Sequence, residues 1–250
     1  MDTLYLIVPC CNEEEALPVS APVFLGKLRE LIEKKMIAPD SRVMFVDDGS
    51  SDGTWDIIKR LHAENECVDG LRLEKNRGHQ NAVTAGLAIA IRYAGVTVTM
   101  DADLQDDINA IDTMAEKYNA GCPIVCGVRR RRDGDTFFKR ITARGYYILM
   151  NLFGAKLVYD HADFRLLSRE AAERLLGFGT EDLFLRGLIT RLDLPIEKVF
   201  YDRAPRNAGE SKYTLRKMLH LARRGMTCAG MKRAESPRLG KLWIAEVLHG

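Results

Sequence analysis

The sequence has no C-x-x-C pair and no Cys/His spacing of the kind that builds a zinc site. Several of its six cysteines (10, 11, 67, 122, 126 and 228) lie in apolar segments, which reads as buried, reduced thiols in a cytosolic protein. No apolar run reaches the ~18–20 residues a bilayer-spanning helix needs, because Arg92 interrupts the longest candidate. The start, "MDTLYLIVP", is too short and has no basic residues for an export signal. A soluble or peripheral chain is therefore expected. Neither G-x-G-x-x-G nor G-x-x-x-x-G-K-[ST] occurs, which argues against a dinucleotide-binding turn and a P-loop. Internal repeats and low-complexity linkers are also missing.

What is present is a chain of 250 residues, 46% hydrophobic, enough to bury the core of one large domain or of a domain with an appendage. Its formal net charge of +2 hides an asymmetry. Residues 1–128 carry 12 Lys/Arg against 21 Asp/Glu, whereas residues 129–250 carry 25 against 14. The acidic half suits metal binding, and the basic half suits phosphates or an anionic surface.

Short runs rich in Val, Ile, Leu and Phe predict buried strands at 3–9, 42–47, 70–73, 96–100 and 122–128. Helical periodicity predicts helices at 14–35, 54–65 (capped by Ser51 or Asp52), 79–93 and 107–119. This alternation specifies an α/β protein with an open, mostly parallel sheet, which binds ligands at the carboxyl ends of its strands. The acid clusters Glu13–Glu15, Asp47–Asp48 and Asp101–Asp106 fall at those ends and are expected to converge. After a polar break, "RRRRDGD", an aromatic and basic stretch (136–154) reads as an interfacial amphipathic helix or an aromatic core helix. Helices at 168–176 and 181–191 and a strand-like "PIEKVFYD" follow, then a basic region, 203–233, with nine Lys/Arg and one acid.

Four segments carry candidate chemistry. In "FVDDGSSDGTWD" (45–56) a strand-end carboxylate suits nucleobase N–H or ribose hydroxyls, or else belongs to an Asp-Gly turn with a cap. In "DADLQDD", continued strand alternation places Asp101, Asp103 and Gln105 on one side, where carboxylate and diphosphate oxygens suit Mg²⁺ or Mn²⁺; the alternative is a solvated loop. In "YDHADFRLLSRE", Asp160 or Asp163 is a base, a sugar-orienting acid, or half of a structural pair with Arg165. In "RNAGESKY", Arg206, Lys212 and a helix starting near Ser211 form a phosphate site or a solvated basic helix.

The ordered set "VPCCNEEE", "VDDGSSDGT", "NRGHQNAVTAGL", "DADLQDD", "DFRLLSR" and "RNAGESKY" resembles the family-2 inverting glycosyltransferases of the GT-A fold over roughly residues 3–220. The nearest subgroup is the polyprenyl-phosphate glycosyltransferases, similar to dolichyl-phosphate mannose synthase and bactoprenol glucosyltransferase. The resemblance implies nucleotide-sugar contacts at Pro9, Glu13, Val46, Asp48, Asp101, Ala102 and Arg129. It implies metal ligation by Asp103 and Gln105, catalytic roles for Asp103 and Asp163, and acceptor-phosphate contacts at Arg206 and Lys212. The activity implied is metal-dependent transfer, with inversion, from a nucleotide-diphospho-sugar, UDP-linked in most of the subgroup, to a polyprenyl phosphate. It takes place at the inner face of the plasma membrane.

The expected GT-A domain spans 1–222, with a nucleotide-sugar half (1–128) and an acceptor half (129–222); 223–250 form a basic tail, truncated or disordered, without a family counterpart. The sequence departs from the family at Cys11, usually Tyr, and at "DD-Ile" (106–108), usually Asp-Pro-Pro. It also lacks the two transmembrane helices common in bactoprenol-type relatives. Elongation of a surface polysaccharide and a non-catalytic nucleotide-binding remnant are the alternatives, and homo-oligomer formation stays open. A nucleic-acid partner leaves the acid clusters unexplained and is not expected.

Overall fold

A computed structural model describes residues 1–130, 161–181, 183–203, 230–237 and 239–250. The expected helix at 136–154, Asp160, Arg206, Lys212 and the helix start near Ser211 lie outside the described residues.

The first half alternates as its hydrophobic runs predict: β1 (Leu4–Cys10), α1 (Leu17–Glu33), β2 (Arg42–Asp47), α2 (Thr54–Glu64), β3 (Val68–Leu73), α3 (His79–Ala90), β4 (Val96–Thr99), α4 (Ala110–Asn119) and β5 (Ile124–Arg129). Then come β6 (His161–Ser168), α5 (Arg169–Leu176), the single turn α6 (Leu185–Leu188) with a 3₁₀ turn (Ile189–Arg191), β7 (Ile196–Tyr201) and β8 (Ile244–Leu248). The helix expected over 181–191 is thus reduced to two short turns.

The eight strands form one sheet in the order β7-β5-β6-β4-β1-β2-β3-β8. β3, β2, β1 and β4 run parallel, as do β5 and β7, while β6 and β8 are antiparallel to their neighbours. All seven residues of β1 are buried, because helices cover both faces of the sheet and leave no face for polar alternation. One core packs α3, α5 and α6 on the sheet, and the other packs α1, α2 and α4. Gly86 sets the depth of α3, since a Cβ there would stand 2.7 Å from Ile7 Cγ2.

Ser168 caps α5, its Oγ accepting from the Ala171 amide at 3.1 Å. At α2 the N-cap is Gly53, which has no side chain to cap with, and Asp52, one residue earlier, accepts from the Thr54 amide at 3.1 Å. Ser51, the other expected cap of α2, donates instead to Asn12 Oδ1 from its amide at 2.9 Å.

Residues 244–248 correct the expectation of a structureless tail. Their Ile, Val and Leu side chains and extended backbone complete the outer edge of the sheet against β3. Trp55 Nε1 donates to Glu246 Oε2 at 3.1 Å, and His249 Nδ1 lies 2.8 Å from Asp69 Oδ2.

Candidate active site

The carboxyl ends of β1, β2 and β4 open onto a cavity of about 400 Å³. Of the residues expected at the donor, Pro9, Glu13, Asp48, Asp101 and Ala102 line it, as does Asp103, expected as a metal ligand. Each acid cluster contributes only part of itself, because tight turns divide its members. Glu14 Oε2 accepts from the Gly53 amide at 2.9 Å, and Asp47 Oδ1 from the Ser50 amide at 2.9 Å. Asp48 stays in the wall, where its two oxygens accept from the amides of Arg77 and Gly78 at 2.7 and 2.9 Å. That pairing ties the end of β2 to the loop that starts α3.

The electrostatics follow from the crowding. Burial pushes the Glu13 carboxyl up, and the charges of Asp103, Asp52 and Asp101 push it further. Burial also raises Asp101; His79 offsets part of this, while Asp163, Asp103 and Asp106 add to it. Burial raises Asp48 against the lowering effect of its two amide donors. A cavity whose acids repel one another in this way favours a cation.

Three expected site residues stand elsewhere. Val46, opposite Pro9 in the β1–β2 register, is fully buried under α3 and forms the floor beneath the site, not its wall. Gln105 does not share the cavity with Asp103. β4 ends at Thr99, and Leu104 adopts φ 49°, so strand alternation does not extend over 101–105. Gln105 instead lines a second hollow with Leu104, Asp106, Ile108 and Arg203, and only its amide reaches Asp103, donating to Oδ1 at 3.1 Å. Arg129 is engaged by Asp106, with Nε and Nη2 donating to the two carboxylate oxygens at 3.0 and 3.1 Å.

Asp163 lies on β6 and meets two arginines. Arg165 Nη2 donates to Oδ1, and Arg186 donates to Oδ2 from Nη2 at 2.9 Å and to Oδ1 from Nε at 3.3 Å. Burial alone raises this carboxyl, yet Arg186, Arg165 and His79 outweigh burial and hold it well below the usual carboxylate range. The Asp163–Arg165 pairing was one of the sequence alternatives; Arg186 and His79 were not anticipated. His79 Nε2 stands 3.7 Å from both Asp163 Oδ2 and Asp101 Oδ1, so it joins the arginine cluster to the acid cavity. The available signal was weak: His79 follows Gly78, whose φ of 89° turns the chain into the first residue of α3.

Among the described residues, no three His, Cys, Asp or Glu side chains form a ready-made metal-holding group. The oxygen donors at the cavity nevertheless match a hard divalent cation in chemistry, provided a ligand supplies further oxygens. No helix of the described residues is long and apolar enough to cross a membrane.

Comparison with known proteins adds an independent line. Residues 5–176 match the family model described as "Glycosyl transferase family 2". An uncharacterized glycosyltransferase of Bacillus subtilis, YkoT, is 47% identical over 224 residues, covering 90% of this chain and 66% of that relative. The chain thus spans just under two thirds of that relative's length. The bactoprenol glucosyl transferase of Shigella phage SfV is 36% identical over 223 residues, covering 89% of this chain and 70% of that protein. Among solved structures, a mannosyltransferase of Pyrobaculum calidifontis in complex with GDP-Man and Mn²⁺ superposes with a TM-score of 0.60 at 17% identity, covering 94% of this chain and 66% of that one. Glucosyl-3-phosphoglycerate synthase of Mycobacterium tuberculosis superposes with a TM-score of 0.57 at 18% identity, covering 93% and 80%. At such identities the structural likeness speaks for the GT-A fold.

Proposed function

Because the chain belongs to glycosyl transferase family 2, we propose that it transfers a sugar, with inversion, from a nucleoside-diphosphate sugar to a polyprenyl phosphate at the cytoplasmic face of a membrane. The observation that carries this reading is the cavity at the strand ends, where Glu13, Asp48, Asp101 and Asp103 converge from distant parts of the chain. Its likeness to bactoprenol glucosyl transferases supports the acceptor, and UDP is the nucleotide we favour.

In this reading Pro9 and Ala102 border the nucleotide, and Asp48 acts through the 77–78 loop it holds. Asp103 would hold Mg²⁺ or Mn²⁺, and Asp101 and Glu13 would supply the surrounding negative charge. When bound, the cation offsets the charge that develops on the departing nucleoside diphosphate. A phosphate acceptor is already ionised near neutral pH, so the chain does not need a strong general base. Arg206 and Lys212 are kept as further acceptor-phosphate contacts on the strength of their motif.

Calorimetric titration of Mn²⁺ with and without UDP tests the core of this proposal. Mn²⁺ should bind weakly alone and more tightly with UDP, and Asp103→Ala should remove that coupling. Metal-dependent UDP binding that survives Asp103→Ala would refute the metal assignment. Transfer to a soluble glycan but not to a short polyprenyl phosphate would favour polysaccharide elongation.

A further inference from the structure

The polar side chains of the acid cavity divide into those already engaged and those left open. Asp48 is spent on the amides of Arg77 and Gly78, and Cys11 Sγ accepts from Asn76 Nδ2 at 3.0 Å. Asp103 Oδ1 accepts from the Gln105 amide. Beside the cavity Asp163 sits in an arginine clamp, with both oxygens accepting from guanidinium groups of Arg165 and Arg186. Three lining side chains, those of Glu13, Asp101 and His79, make no hydrogen bond among the described residues.

Two of these three face each other. His79 Nε2 stands 3.7 Å from Asp101 Oδ1 and 3.7 Å from Asp163 Oδ2, beyond hydrogen-bond reach of either. With a carboxylate on each side, the neutral ring keeps its proton on Nε2, because a lone pair aimed at two anions is unfavourable. The cavity thus presents an open donor beside an open acceptor, on side chains that are 39% and 35% exposed. A phosphate oxygen only accepts, and Asp101 repels it. An ammonium group only donates and leaves the imidazole N–H unanswered. A metal ion held here would need Asp163 as a further ligand, and the arginines already occupy that carboxylate. A hydroxyl both accepts from Nε2–H and donates to Oδ1, and it fills a gap too wide for a direct bond.

A nucleoside-diphosphate sugar offers hydroxyls from two sources, its ribose and the sugar to be transferred. Position favours the second. The sheet runs β6-β4-β1-β2 across the site. Asp48 marks the β2 end, whereas the His79–Asp101 pair adjoins Asp163 on β6, on the far side of β1. We propose that His79 and Asp101 together bind a hydroxyl of the transferred sugar, which makes His79 a specificity-determining residue of the donor site. This deepens the donor reading given above and rests on it. A donor lacking that hydroxyl leaves the carboxylate and the N–H unpaired, which is how a polar site rejects an analogue.

The test is calorimetric, on the full chain saturated with Mn²⁺. UDP-glucose, UDP-galactose and UDP-N-acetylglucosamine are the probes, with UDP as the comparison arm. The tightest of the three is then compared with its monodeoxy analogues. His79→Ala should weaken that nucleotide sugar by roughly three- to tenfold, as expected for one hydrogen bond lost, and leave UDP within about twofold. His79→Phe, which keeps the bulk of a ring without its N–H, should lose as much. His79→Gln, whose side-chain amide still donates, should recover part of the affinity. One monodeoxy analogue, the one missing the contacted hydroxyl, should bind the wild type as weakly as the parent sugar binds His79→Ala, and the substitution should cost nothing further with it.

An equal loss for UDP and for the nucleotide sugar would give the hydroxyl to the ribose and overturn the proposal. So would His79→Ala or His79→Phe binding the nucleotide sugar like the wild type, the latter by reducing His79 to packing. A penalty of the same size with every monodeoxy analogue shows that no hydroxyl is contacted and overturns it as well. A wild-type protein that binds UDP but none of the three sugars also overturns it. One that binds neither UDP nor the sugars refutes the donor reading itself, and the proposal with it. The His79 side chain is partly exposed and unbonded, and retained UDP binding reports that its variants are folded.

Discussion

Replacing Arg129 by Gln should lower thermal stability and leave nucleotide affinity unchanged. Arg129 closes β5 and points a guanidinium at Asp106, which receives both hydrogen bonds, at 3.0 and 3.1 Å. The Asp106 side chain is 2% exposed and the Arg129 side chain 30%. Removing one partner of a buried pair costs about 3–5 kcal/mol, because the remaining charge loses its compensation. Here the loss is smaller. Arg129 is partly solvated, and Arg203 Nε stands 3.7 Å from Asp106 Oδ1, ready to share the carboxylate. An effect of about 2–3 kcal/mol is expected for Arg129→Gln, after discounting for screening by solvent. For a chain of this size that corresponds to a Tm lower by roughly 4–12 °C.

Thermal unfolding of Arg129→Gln, Asp106→Asn and the double variant would measure the pair. The two single effects should fail to add, because each removes the same interaction. UDP affinity in the presence of Mn²⁺ should stay at the wild-type value in all three. The reasoning is refuted if Arg129→Gln melts like the wild type and binds UDP at least tenfold more weakly. Arg129 would then be the donor contact that the family resemblance implies.

The sheet was legible in the sequence because its strands are buried on both faces and carry their apolar residues in continuous runs. The rule that such sheets bind ligands at strand ends was enough to bring Glu13, Asp48, Asp101 and Asp103 together from distant parts of the chain. Spacing alone does not say which acid of each cluster faces inward; Glu13, Asp48, Asp101 and Asp103 were singled out only by the family resemblance. The choice is made at Asn12, Gly49 and Leu104, which adopt φ of 56°, 64° and 49°. Glycine, and more weakly asparagine, announces such a turn in a sequence, and a Cβ on Gly49 would stand 2.3 Å from the Lys75 carbonyl carbon. The turn at Leu104 is silent, and it is the one that separates Gln105 from Asp103. Arg186 was silent for a different reason. It reaches the site through a salt bridge to a residue 23 positions away, and no local spacing encodes that meeting. β8 was missed in the same way, since its partner β3 lies in the opposite half of the sequence.

Asp163 should make stability depend on acid. Its carboxyl is held well below the ordinary range, so its contribution is fully present above the unfolded-state value, about 4, and fades as pH falls through the lower folded-state value. Urea unfolding should therefore show Asp163→Asn clearly less stable than the wild type at pH 7, with the gap narrowing toward pH 2; a gap that widens in acid would contradict the arginine clamp. The last prediction concerns Trp243, just before β8. Its ring lies 4.5 Å from the Arg77 guanidinium carbon, and its carbonyl accepts from the Glu74 amide at 2.8 Å. Arg77 in turn offers its own amide to Asp48 at the cavity wall. Trp243→Ala removes a cation–π contact of roughly 0.5–1 kcal/mol and should raise the UDP Kd by about two- to fivefold through the loosened loop. Trp243→Phe retains a ring and should recover most of the affinity. Should Trp243→Ala bind UDP like the wild type, the terminal strand braces the edge of the sheet without helping to hold the nucleotide loop.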